Sequence, residues 1–272
     1  MSAPALPPVA PPATHPATSA FRWSWGQKLM VWVVVLYGVW TLSTLGLSSE
    51  RLAAGWEQGA RFIGRMFPPQ MDKMDELWLG IKETLQIAVL ATVLGIALSL
   101  PVGVLAASNL SPAPLRLAGR ALIALCRALH PVISAILFVK AVGFGPLAGI
   151  LALVVATVGF VGKLFADAIE EISPKPIEAI RATGASFANV VLFGVLPQVA
   201  SRFVGFATYQ LDSNLRNSTM VGIVGAGGIG GALFAAFLRY EYSFVCTILA
   251  TVIAIIVVGE LVVNAVRKAM DV

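Results

Sequence analysis

Six apolar runs divide this chain, each close to the roughly 20 residues a helix needs to cross the hydrocarbon core of a bilayer. They fall at about Leu29–Leu47, Leu77–Ala107, Ala118–Val142, Pro146–Phe165, Val199–Leu215 and Phe244–Val266. Within hydrocarbon every backbone N–H and C=O needs a partner inside the protein, so uninterrupted runs of this kind form helices. The expected fold class is therefore an all-α integral membrane protein, polytopic, with about six transmembrane helices per subunit. Composition agrees: only 12% of the 272 residues are charged, against about 25% in a soluble domain.

The net charge of +5 does not point to nucleic acid, because the basic residues are scattered among apolar runs instead of clustered. It is better read as topology. Arg116 and Arg120 follow the second run, Lys163, Lys175 and Arg181 the fourth, and Arg267 and Lys268 the sixth, and cytoplasmic loops are enriched in such residues. Both termini are expected in the cytoplasm, and with them the loop after run four. The segment Ser48–Glu76 is a partial exception, with four basic and five acidic residues. It contains an amphipathic stretch, Trp56–Phe67, and the turn Pro68-Pro69.

Residues 1–27 are expected to form a disordered Pro/Ala-rich cytoplasmic tail, with too little apolar surface to offset ordering entropy. Arg22 and Lys28 come after the nearly uncharged stretch Met1–Ala20, which argues against a secretory signal. His15 has no evident role there. Trp23, Trp25 and Trp32 suit an interfacial belt at the first crossing. Residues 28–272 make the transmembrane domain. Cys126 and Cys246 lie in apolar runs and read as small hydrophobes, not as a disulfide or metal pair.

Between runs four and five lies a polar insertion, Ser173 to Pro197, reading SPKPIEAIRATGASFANVVLFGVLP. Pro174 and Pro176 suit the first turn of a helix, where a missing N–H costs nothing, and Glu178 sits near that helix's positive end. Gly184 supplies the left-handed break two turns later, and a second short helix is expected from Ser186. The pattern Glu178-Ala179, Gly184, Leu196-Pro197 resembles the EAA loop of bacterial ABC import permeases, written EAA, three residues, G, nine residues, I, one residue, LP. Ile180 stands where the second Ala belongs and Gly194 where the Ile belongs. The resemblance implies a type I importer-like permease whose cytoplasmic coupling loop, 173–197, docks on the ATP-hydrolysing subunit through Glu178, Ala179, Gly184, Ala185, Leu196 and Pro197.

Two further stretches carry chemistry. Gly222, Gly225, Gly227, Gly228, Gly230 and Gly231 include a GxGxxG spacing, but no acidic residue stands about 20 positions on and no βαβ unit surrounds it, so dinucleotide binding is not supported. The glycines suit either an irregular, re-entrant segment or close helix packing. Just before them, Asp212–Thr219 is the densest polar cluster at the outer end of run five. Ionisable groups at membrane depth cost about 2.5–3.5 kcal/mol on insertion scales and face a cavity or each other.

The run NLRNSTMVGIVGAGGIGGAL, taken with the loop, resembles permeases of phosphonate-type importers, whose relatives carry phosphite or hypophosphite. For an oxyanion cargo, Asn214, Arg216, Asn217 and Ser218 are candidate path residues, with Gly225, Gly227 and Gly228 as a candidate gate. An Asp212–Arg216 pair at i, i+4 that neutralises itself is the competing reading. Lys140 and His130 are weaker candidates: the first suits snorkelling to the interface, the second a satisfied core position.

The resemblance further implies a homodimer in the bacterial inner membrane, two cytoplasmic ATP-binding subunits and an extracytoplasmic substrate-binding protein. No cofactor is expected on this chain, ATP and Mg being used by the partner. No GxxxxGK[ST] loop is present, so the chain is not expected to be an enzyme by itself. A stand-alone secondary transporter or channel for a small anion is the alternative.

Overall fold

A computed structural model describes residues 23–46 and 48–269, and the described residues contain helices and no strand. The tail expected over residues 1–27 lies outside them as far as position 22. The chain divides into two units, 1–60 and 61–272.

In the first unit, α1 spans Trp25–Thr44. Ser24 starts it with a reciprocal cap: its hydroxyl accepts from the Gln27 N–H at 3.3 Å while Gln27 Oε1 accepts from the Ser24 N–H at 2.9 Å, which satisfies two donors a helix start leaves orphaned. The amphipathic helix α2, Ser49–Met66, follows and ends within the second unit, with Leu52, Trp56 and Ile63 exposed along one side.

The second unit continues with α3 Met74–Ala106, α4 Ala113–Ala128, α5 Pro131–Val142, α6 Pro146–Glu170, α7 Pro174–Ala182, the single turn α8 Phe187–Asn189, α9 Leu196–Ile223, α10 Ile229–Leu238 and α11 Tyr242–Ala269. Four helical stretches are long and apolar enough to cross a membrane: α3, α6, the run Phe187–Ile223 and α11. The count reaches six if the two bent helix pairs, α1 with α2 and α4 with α5, each make one span.

Two expectations need correction. The third crossing is not one helix: α4 and α5 meet at 91°. Pro131 has no N–H to continue the ladder and forces the residue before it into extended backbone. His130 takes that conformation (φ −66°, ψ 140°), and its Nδ1 accepts from the Val132 N–H at 3.3 Å. His130 is thus an exposed helix cap and not a core residue.

The fifth crossing is also longer than expected. A helix does start at Ser186, its N-cap, but it is not short: α8 passes through a widened π turn, Val190–Val195, straight into α9. The widening precedes Pro197, which cannot donate and whose ring presses on the carbonyl four residues back, so a looser turn relieves both faults. The Leu196 N–H reaches Val191 O, five residues back, and the Gln198 side chain donates to Gly194 O at 2.6 Å. Consequently the polar run 212–219 lies within the helix and not at its outer end.

The centre of this unit is α6, packed on α3, α4, α5 and α9. Helix α3 approaches so closely that a Cβ on Gly95 would stand 2.5 Å from the Thr157 side chain. In lipid, which rivals any apolar side chain as solvent for another, such backbone proximity and interhelical hydrogen bonds hold helices together. The bonds are present. Asn214 of α9 is fully buried and donates to Thr92 Oγ1 of α3 at 2.9 Å and to Thr157 Oγ1 of α6 at 3.2 Å. Gln210 donates to the same Thr157 oxygen and to Asn214 Oδ1, both at 3.0 Å. Ser99 Oγ lies 3.4 Å from Thr157 O and donates to Gly95 O at 2.6 Å.

The glycine-rich segment serves both needs raised by its sequence. Gly225, Gly227 and Gly228 have φ of +92°, +79° and +78°, so the chain turns there in a conformation L side chains avoid. Gly230 serves contact: a Cβ on it would stand 1.9 Å from Thr219 O, whereas one on Gly231 would meet nothing nearer than 3.6 Å. Gly230→Ala should therefore destabilise the detergent-purified chain by more than about 2 kcal/mol, read as a fall of several degrees in Tm. Gly231→Ala should stay within about 0.5 kcal/mol.

Candidate functional site

The corner between α6 and α9 is built from a short helix held by one anchor. Ile177 is buried and packs with Ile169, Val190, Val195 and Val199, while Glu178, Ala179 and Gly184 face outward. Gly184 takes φ +76°, and its N–H donates to Arg181 O at 3.0 Å, so the turn closes on a left-handed residue. Ala185 and Leu196 are half-buried at the base, and Pro197 is exposed. An ion pair between Glu171 and Arg202 ties the end of α6 to α9.

The two departures from the loop pattern meet in space. A Cβ on Gly194 would stand 3.2 Å from Ile180 Cδ1 and 3.6 Å from Ile177 Cα. A large side chain at 180 fills the room that a large side chain at 194 would need, so the exchange Ala/Ile to Ile/Gly conserves packing volume. The spacing alone showed two mismatches; the fold shows one compensated pair.

The candidate path residues divide among three places. Asn214 and Ser218 point into the core, where Ser218 donates to Leu215 O at 2.8 Å. Arg216 points the other way and pairs with Asp212 on the exposed face of α9; Asn217 lies between, donating to Ser213 Oγ at 3.3 Å. Gly225, Gly227 and Gly228 lie beyond the end of α9. Lys140 is exposed in the last turn of α5.

The exposed face of α9 carries two residues that the polar-cluster reading passed over. Arg202, Tyr209 and Arg216 stand seven apart, close to two helical turns, and so share one stripe. About half of each Arg side chain is exposed (51% and 48%). Tyr209 stacks on Phe160 of α6 with centroids 5.5 Å apart. Below them Phe160, Leu164, Arg202, Tyr209 and Arg267 line a cavity of about 510 Å³, with Arg267 Nε donating to Thr208 Oγ1 at 3.2 Å. The period of seven was the available signal.

At the opposite end of α6 lies a second cleft of about 430 Å³, lined by Glu76, Gly80, Glu83, Phe144 and the turn glycines. Glu83 Oε2 accepts from the Gly228 N–H at 2.7 Å and Thr84 Oγ1 from the Ile229 N–H at 2.8 Å. Two side chains of α3 thus cap the start of α10, where a carboxylate is also favoured by the helix dipole. At the rim, both Glu241 oxygens accept from Lys73 Nζ at 2.6 Å, and Arg239 bridges Glu76 at 3.0 Å and Glu241 at 3.3 Å.

The Lys73 hydrogen bond holds the Glu241 carboxyl below its ordinary value of 4.5 against the opposing effect of desolvation, with Arg239 adding to the lowering. A depressed carboxylate stabilises the fold fully above its unfolded value and loses that contribution as pH falls through the lower folded one. The Tm of the purified chain should accordingly drop more steeply below about pH 4.5 than that of Glu241→Gln, which lacks the titrating group; equal slopes would remove the clamp from the account.

Residues 99–271 match the protein family described as "Binding-protein-dependent transport system inner membrane component". The chain is 43% identical over 194 residues to the phosphate-import permease protein PhnE of Mycolicibacterium smegmatis, covering 71% of this chain and 36% of that protein, so it spans about a third of that relative's length. It is 37% identical over 244 residues to the phosphite transport system permease protein PtxC of Stutzerimonas stutzeri, covering 89% of this chain and 88% of that one. Among solved structures it resembles an inward-facing form of the MetNI methionine ABC transporter, with a TM-score of 0.64 and 26% identity over 74% of this chain and 99% of that one.

Proposed function

Because the chain belongs to the family of binding-protein-dependent transport system inner membrane components, we propose that it is the membrane-spanning subunit of an ATP-driven importer for a phosphorus oxyanion. The cargo class rests on the relatives, which are named for phosphate and phosphite; phosphonate belongs to the same chemistry. In this reading two copies enclose one central pathway, a closed two-fold assembly being the common outcome for a single chain. Two ATPase subunits, using ATP and Mg, sit below, and a soluble binding protein delivers cargo from above. The α7 end faces the cytoplasm of a bacterium, as do both termini, and the chain itself hydrolyses nothing.

One observation carries the reading. The stripe Arg202, Tyr209, Arg216 runs down a helix otherwise packed on α3, α6, α10 and α11, and the helical run that includes it, Phe187–Ile223, begins just past the corner at Gly184. Charged groups on a spanning helix avoid lipid, so the stripe lines a watery route or meets a second copy. Guanidinium groups match the oxygens of a phosphorus oxyanion. A push on Glu178 and Ala179 by a closing ATPase moves α9 and its stripe as one rod, a rigid-body rearrangement between two discrete packings.

Gly184→Pro tests the coupling. Proline can take neither φ +76° nor supply the N–H that bonds Arg181 O. In proteoliposomes holding the co-expressed complex, the variant should insert normally and keep ATP hydrolysis, while uptake of radiolabelled phosphite falls by roughly tenfold or more, the scale of a lost 1–3 kcal/mol coupling. Normal coupled uptake in that variant, or flux through the purified chain without ATP, would contradict the reading.

A further inference from the structure

Between α4 and α6 lies a cavity of about 230 Å³ lined by Arg120, Ile123, Arg127, Lys163 and Asp167 among others. Three cations and one carboxylate face it. Arg120 is committed elsewhere: it donates to Glu170 Oε1 at 2.7 Å and to Ala106 O at 3.2 Å. Lys163 donates to Asp167 one turn along α6. Arg127 has neither a hydrogen bond nor an ion pair among the described residues.

The position of Arg127 sets the depth of that extra charge. Its backbone rests on Gly159, where a Cβ would stand 2.9 Å from Arg127 Cγ and 3.0 Å from Arg127 N. Gly159 lies near the middle of the 25-residue α6, about 20 Å from its start at 1.5 Å per residue. An arginine at that depth is expensive unless it meets an anion or water. Helical side chains lean toward the N-terminus of their helix, and for α4 that direction leads from Arg127 toward Arg120 and the level of Lys163, a turn beyond Gly159. Asp167 cannot neutralise both Lys163 and Arg127, so one positive charge is left over at the cavity, where Arg127 is exposed and the Lys163 and Asp167 side chains are 45% and 42% exposed.

The chemistry that fits is a tetrahedral oxyanion. A guanidinium offers a planar fork of donors and an ammonium a compact point charge, and together they can reach two or three oxygens of one phosphate-type group. The cavity has room for such a group with part of its hydration shell, at ~30 Å³ per water. Phe160 and Leu164 follow Lys163 around α6 and line the α9 groove, so the two cavities lie on adjoining faces of one helix.

We propose that Arg127 and Lys163 form a binding site for a phosphate-type oxyanion between α4 and α6, on the cytoplasmic half of the pathway. Its place in the pathway rests on the importer reading; its chemistry does not. The oxyanion is either the free cargo or the headgroup phosphate of an anionic lipid.

Direct binding to the full-length chain, without ATPase or binding protein, separates these. The chain in phosphatidylcholine nanodiscs is titrated with radiolabelled inorganic phosphite by equilibrium dialysis, and phosphatidylglycerol retained from mixed-lipid membranes is measured in parallel. Saturable phosphite binding that weakens about tenfold or more in Arg127→Gln and in Lys163→Gln, but not in Arg116→Gln elsewhere on α4, supports the site with free cargo as ligand. Retained phosphatidylglycerol that depends on the same two residues, without phosphite binding, supports the site with lipid as ligand. Binding of neither kind, or binding indifferent to both residues, overturns the proposal. Should Arg127→Gln fail to fold, Lys163→Gln and the charge-keeping Arg127→Lys carry the comparison, the latter expected to retain more binding than Lys163→Gln. Failure here leaves ATP-driven uptake to be judged separately, and failure of uptake with binding intact tells against the importer reading alone.

Discussion

The helices around α6 are held in register by a small knot of side chains. Asn214 reaches Thr92 and Thr157 on two different helices, and Gln210 ties itself to both Asn214 and Thr157. Lipid supplies no hydrophobic drive for helices to associate, so these bonds and the close backbone contact at Gly95 decide which faces meet. Sliding α9 by one residue would leave buried amides without partners, at about 1–3 kcal/mol each. The knot therefore makes α3, α6 and the middle of α9 one body, and everything exposed on α9 inherits its direction from it.

That direction links the corner to the groove. With Asn214 and Gln210 facing inward, Arg202, Tyr209 and Arg216 fall on a more exposed side of the same helix. Beyond its other end, across Ala185 and Ser186, lie Gly184 and the exposed Glu178 and Ala179. The π turn ahead of Pro197 absorbs the proline without ending the helix, and Ile180 against Gly194 seats α7 on it. In the proposed reading a displacement at the corner reaches the groove through this helix.

Much of this was legible from the chain alone. The second, fourth and sixth apolar runs match α3, α6 and α11 to within a few residues, because continuous apolar runs of the right length leave the backbone no alternative to helix. The break at His130 was harder to see: Pro131 was visible, but an apolar run on either side reads as one span until the turn angle is known. The fifth helix was cut short for the converse reason. Asn, Ser and Arg interrupt the apolar run in sequence, and only the partners on α3 and α6 show that Asn214 is satisfied inside a helix. The compensated pair Ile180 and Gly194 joins positions fourteen apart, and spacing carries no information about which side chains touch.

The central claim is that the corner around Gly184 lies in the cytoplasm against an ATP-hydrolysing subunit, and sidedness tests it most directly. In a variant with Cys126 and Cys246 replaced by serine, Thr183→Cys is exposed to a membrane-impermeant maleimide in inside-out and right-side-out vesicles. The account predicts labelling in inside-out vesicles alone, suppressed when the co-expressed ATPase is bound. Labelling from the outside would contradict it, as would labelling from the inside that the ATPase leaves unchanged.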